Sequence, residues 1–203
     1  MKTIANPNQA EIEIKKSQFI CRIFPAKNST EAREIIKEIS NKYSDATHNC
    51  SAYLVSDGEA YDDDGEPSGT AGRPMLNILK KNNLKNIVAI VTRYFGGIKL
   101  GAGGLVRAYG KSVIETLTIS DIVEMEEYKI YTITFEYSDI KTIDNEIRNY
   151  NIIILKKDFE EKVEYKIAIK KNSDLKPFEE KIQSKGHINF LKNEYLNIDY
   201  LNI

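Results

Sequence analysis

Two stretches of this 203-residue chain do not read as ordinary packed secondary structure, and any fold has to be drawn around them. The first, residues 57–74, carries six carboxylates between Asp57 and Glu66 and no cation before Arg73. The second, residues 93–111, carries four cations and no acid, and five of the chain's 11 glycines lie between Gly96 and Gly104. Glycine reaches positive φ and lets another backbone or a ligand come close. Where a glycine turn opens a helix, the first amides are unpaired and, together with the helix dipole, attract anions.

Lys99 precedes that opening, and Arg107 and Lys111, four apart, share one helical face. The second stretch therefore reads as a cradle for a phosphate or a carboxylate. Arg93, Lys99, Arg107 and Lys111 would meet the anion, Gly101, Gly103 and Gly104 would offer amides, and Tyr94 or Phe95 would stack on a base. In the first stretch, Asp62, Asp63, Asp64 and Glu66 would repel non-cognate anions or grip a basic partner. A purely structural reading stands beside this one: the glycines only allow tight turns, and the acidic loop pairs with Arg93 and Lys99.

Regular patterns surround both stretches. Strands are expected over Glu11–Ile14 and Gln18–Phe24, separated by a polar break at Lys15–Ser17. Ser29 or Thr30 caps a helix with the stripe Ala32, Ile35, Ile36, Ile39 and Tyr43. A strand over Cys50–Ser56 follows, and from Asp57 to Gly72 no packed face is expected. Pro74 suits the first turn of a helix carrying Met75, Leu76 and Leu79. Ile87 to Val91 is apolar throughout, as in a strand buried on both faces. The basic stretch leads into a helix with the stripe Val106, Tyr109, Val113 and Leu117.

The second half reads βαββαβ, the split βαβ arrangement of ferredoxin-like folds. Tyr131, Ile133, Phe135 and Tyr137 alternate as a strand. Ser138 caps a helix with Ile140, Ile143, Ile147 and Tyr150 on one face. Strands over 152–158 and 162–170 follow, then a helix with Leu175, Phe178 and Ile182 that stops at Gly186, and a strand within 188–196. The fold class is α+β, with domains expected over 1–122 and 123–203.

Composition removes several function classes. Hydrophobic residues make up 41% and charged residues 29%, as in a globular protein rather than a disordered one. No apolar run of about 18 residues exists and the first nine residues are polar, so neither a membrane span nor a signal segment is expected, and a cytoplasmic location is. A net charge of −1 argues against a general nucleic-acid coat. The two cysteines, Cys21 and Cys50, are expected as buried free thiols, and no metal or other cofactor is expected.

Familiar motifs fail on spacing. Gly110-Lys111-Ser112 would end a P-loop only if the earlier glycine stood five residues before Gly110, and Gly104 stands six before. A dinucleotide fingerprint starting at Gly101 and Gly103 meets Val106 where glycine is needed. The acidic run lacks the spacing of a calcium loop. His48 and Cys50, two apart on a strand, share a side and would make a Cys–His nucleophile pair if Cys50 were ionised. An enzyme built on the acidic loop would use His48, Asp63 and Glu66.

Three motifs together carry a family resemblance: His48-Asn-Cys-Ser-Ala-Tyr53, Asp63-Asp-Gly-Glu-Pro-Ser-Gly-Thr-Ala-Gly-Arg-Pro74 and Arg93-Tyr-Phe-Gly-Gly-Ile-Lys-Leu-Gly-Ala-Gly-Gly-Leu-Val-Arg-Ala-Tyr109. They resemble the signature of the Impact family in its YigZ-type, two-domain bacterial and archaeal form, over about residues 10–120. The resemblance implies an N-terminal domain like the second domain of ribosomal protein S-five. It implies a C-terminal domain like domain V of elongation factor G. It also implies a role in translation. The family's eukaryotic members regulate translation by competing for an activator of an initiation-factor kinase, using an additional N-terminal domain. The present sequence opens directly on its first strand, so that partner is not expected here.

The reading that follows is a non-enzymatic protein bound to RNA or the ribosome that regulates translation. The alternatives are a protein-interaction module in translational stress signalling that does not touch nucleic acid, and a hydrolase-like enzyme using the acidic glycine-rich loop.

Overall fold

A computed structural model of the chain describes residues 1–197. It divides into two compact units between Glu124 and Met125. The first unit is built on a five-stranded antiparallel sheet. Its strands are β2 (Asn8–Ile14), β3 (Ser17–Pro25), β4 (His48–Val55), β5 (Gly58–Asp62) and β6 (Ile87–Tyr94), in the order β2-β3-β6-β4-β5. A short pair, β1 (Lys2–Ile4) and β7 (Ile122–Glu124), ties the two ends of this unit together.

β6 is central and buried along nearly its whole length. Ile87, Ala89 and Val91 face the core formed with helices α2 (Gly72–Lys81) and α3 (Ala102–Thr118). Val88 and Ile90 face α1 (Ser29–Lys42) on the opposite side. This double burial is why its sequence is apolar without alternation. Cys21 and Cys50 both face the α2–α3 side, on strands that flank β6, and both are free thiols.

The second unit contains β8 (Glu126–Phe135), α4 (Ile140–Asn149), β9 (Ile153–Phe159), β10 (Val163–Lys170), α5 (Lys176–Ile182) and β11 (Gly186–Leu196). Its antiparallel sheet runs β11-β8-β10-β9, so the first strand lies between the third and the last. That is the split βαβ order, and the molecule is α+β as expected. Ile133, Phe135, Val163, Tyr165 and Ile167 pack against Ile143, Ile147, Phe178 and Ile182 of the two helices.

Several local expectations are corrected. The cap of α1 is Asn28, whose side chain accepts from the Glu31 amide, while Ser29 donates its amide and hydroxyl to Asp57. Residues 58–62 form an edge strand, held by backbone pairing to β4 and almost without buried side chains, which leaves no periodic signal. Val106 is 39% exposed, and the inward stripe of α3 begins at Leu105 and continues through Ala108, Tyr109, Ser112, Val113, Thr116 and Leu117. Tyr137 lies outside β8, in a single 3-10 turn, and Ser138 makes no capping bond to α4. Among the described residues no helix is long and apolar enough to cross a membrane.

Candidate functional site

The six carboxylates of the acidic stretch are each engaged within the chain. Asp57 accepts from Ser29 of α1, which holds its carboxyl below the usual carboxylate range. Glu59 pairs with Lys80. Asp62 accepts from the Asp64 amide at 2.9 Å. Asp63 accepts from the amides of Gly69, Ala71 and Gly72 at 2.7, 3.1 and 2.8 Å. It thereby caps the start of α2, which has no capping side chain of its own. Asp64 accepts from the Asn49 amide at 2.6 Å. The loop is thus folded around its own acids. Among the described residues no three acid, histidine or cysteine side chains cluster as a metal-binding group.

Glu66 is the sixth, and it joins the two glycine-rich stretches. Its side chain is 3% exposed and accepts from Arg93 Nη1 at 2.5 Å and from the Tyr109 hydroxyl at 2.8 Å, both on Oε1. Arg93 therefore lies inside the protein, paired, rather than on the surface where a phosphate would meet it. The cause is strand parity: it alternates with Val91 and Ala89 on the face that carries Phe19 and His48 in register. Tyr94, one residue on, turns to the opposite face and donates to Asp45, so it does not join the basic loop.

His48 donates Nδ1–H to the Asp64 carbonyl at 2.6 Å, which leaves Nε2 as the free ring nitrogen, 3.9 Å from Glu66 Oε1. Asp63 is not oriented on His48, because its carboxylate is occupied by the three amides. Cys50 lies against Tyr109 and the Asp63 carbonyl. Burial pushes its thiol above the usual range, the reverse of what an ionised nucleophile needs. Burial likewise raises the Tyr109 hydroxyl.

The basic stretch begins where β6 ends. Gly96 is pressed against the β2–β3 turn, and a Cβ there would stand 2.0 Å from the Lys16 carbonyl. Gly101, at φ 73°, opens α3 with no capping side chain and no acid in the first turn. The first helical bond runs from the Leu105 amide to the Gly101 carbonyl. Ala102, Gly103 and Gly104 therefore present amides without intrahelical partners. Arg107 reaches back over this turn, its Nη1 3.7 Å from where a Gly103 Cβ would stand. Lys99, Gly101, Gly103, Arg107 and Lys111 are exposed.

None of those three cations meets a carboxylate among the described residues, whereas in the second unit Lys157, Lys162, Lys170, Lys171 and Lys192 all do. Free amides, a helix dipole and unneutralised cations together favour an anion at the start of α3. Sequence reading missed the turn residues Lys15 and Lys16, which no periodicity connects to Gly96 some 80 positions away.

Comparison with known proteins places the chain. The Impact N-terminal domain family matches residues 15–117. The chain belongs to the Impact family. A domain of unknown function, DUF1949, matches residues 133–186 of this Impact protein. The IMPACT family member YvyE of Bacillus subtilis (strain 168) is 45% identical over 170 residues, covering 82% of this chain and 78% of YvyE. YigZ of Escherichia coli (strain K12) is 34% identical over 162 residues, 77% of this chain and 79% of YigZ. A crystal structure of a hypothetical protein superposes with a TM-score of 0.66 at 30% identity, over 94% of this chain and 97% of that one. The resemblance carried by the three motifs holds, and both units have counterparts in the relatives.

Proposed function

We propose that this Impact protein takes part in translational control by binding RNA phosphates at the start of α3. The observation that carries this reading is the open first turn of that helix, where free amides stand under Arg107, with exposed Lys99 just before the turn and exposed Lys111 one turn beyond Arg107. A phosphate there accepts from backbone amides and meets a guanidinium without displacing a carboxylate. Translation is the process that the family resemblance implies. The acidic loop gives less support to a partner-gripping role, since its carboxylates are already occupied within the chain.

The test measures RNA and ribosome binding at two salt concentrations, for the native protein and for Arg107→Ala/Lys111→Ala. The native protein should bind more weakly as salt rises. The double change should lower affinity and flatten the slope of log K against log salt by about 1.4 for two lost single-strand contacts. Equal binding by both proteins would refute the site. No binding by either would shift the search to protein partners.

A further inference from the structure

The phosphate reading leaves Phe95 unexplained. Its side chain is among the exposed large apolar groups of the first unit, at 46%, as is that of Ile98, at 43%. It is nevertheless held in place. Its amide donates to Thr47 Oγ1 at 3.0 Å, and the Arg93 guanidinium carbon lies 5.4 Å from the ring centroid. That guanidinium also lies over Phe19, its side chain is 6% exposed, and its Nε has no hydrogen-bond partner. A buried cation with an unmet donor thus stands at the edge of the same loop.

The next residue fixes the neighbourhood. Gly96 sits against the β2–β3 turn, donating its amide to Ser17 Oγ at 3.1 Å. The turn itself is Lys15 and Lys16, both exposed, and neither pairs with a carboxylate among the described residues. Two independent basic groups therefore adjoin Phe95 along the backbone, one across the Gly96 contact and one in the chain that follows. Lys15–Lys16 comes from the hairpin, and Lys99 with the start of α3 comes from the chain that follows.

We propose that this surface binds single-stranded RNA, with one base stacked on Phe95 and flanking phosphates held by Lys15–Lys16 and by the first turn of α3. The inference rests on the phosphate-binding reading and adds the class of nucleic acid. A duplex presents phosphates but keeps its bases stacked on one another, so an exposed aromatic side chain gains nothing from it. A single strand offers an open base face beside each phosphate, and stacking of that kind is tolerant of sequence. A phospholipid surface also carries phosphates but has no open base face for Phe95, so anionic vesicles form a separate arm of the test.

The experiment uses the full chain with a single-stranded oligouridylate of about a dozen nucleotides, an RNA duplex of equal length and vesicles of anionic lipid. The native protein should prefer the single strand. Phe95→Ala should weaken single-strand binding about 5- to 150-fold with an unchanged salt slope, leave duplex binding unaltered, and be rescued by Phe95→Trp. Lys15→Gln/Lys16→Gln should flatten the slope by about 1.4. Equal affinity for both RNAs, with Phe95→Ala silent, would overturn the inference. If Arg107→Ala/Lys111→Ala still removed salt-dependent binding, the phosphate site would survive that result. Vesicle binding that depends on Phe95, without RNA preference, would also overturn it.

Discussion

Glu66 shows how one carboxylate can organise a loop that carries six. Replacing it with Gln keeps the shape and still accepts from Tyr109, but it leaves the Arg93 charge buried and uncompensated, with Nε already unpartnered. Glu66→Gln should therefore cost about 3 kcal/mol, read as a lower urea midpoint, and adding Arg93→Met should recover part of it. An unchanged midpoint would mean that the pair contributes nothing to the fold. At this scale the sequence was half legible. Arg93 shares parity with Ile87, Ala89 and Val91, so the apolar run could have shown that it points inward and that Tyr94 does not. Which of Asp62, Asp63, Asp64 and Glu66 is buried depends on Tyr109, 43 residues away, and no local pattern encodes it.

Among the elements, the β2–β3 hairpin is the one whose turn is built against its preference. Ile14 pairs with Ser17, so Lys15 and Lys16 form a two-residue turn, with φ of 50° and 64°. Turns of this shape favour glycine, which has no Cβ to strain at positive φ, and asparagine, whose short side chain bonds the local backbone. Lys16→Gly should raise stability by about 0.5–1 kcal/mol while weakening RNA binding, two effects of opposite sign measured on one variant. A destabilised Lys16→Gly protein would show that the turn is not strained. The break between these strands was readable from its polarity, and so were the helices, from their stripes. β1, β5 and β7 were not: β5 buries no side chain, and β1 and β7 are three residues each, too short to show a period.

On the scale of the whole molecule, the two units differ in what alkali does to them. Burial pushes the Cys21 thiol up to about 12 and raises Cys50 as well, and both lie in the first unit. An unfolded thiol ionises near 9.0, so above that pH the unfolded chain has lost protons that the folded chain keeps. Stability contributed by the thiols is full below pH 9 and falls as pH rises towards 12. Between roughly pH 8 and 9.5 the first unit should lose on the order of 1 kcal/mol in urea titrations, and Cys21→Ala/Cys50→Ala should lose less. A pH-independent midpoint would contradict the burial. The division into two α+β units was legible from the βαββαβ order of the second half, whereas the pairing of β1 with β7 was not. Because neither thiol can react while the sheet is closed and no cysteine lies beyond residue 50, a slow alkylating reagent acts as a clock. It advances only when the first unit opens, and it is blind to every motion of the second.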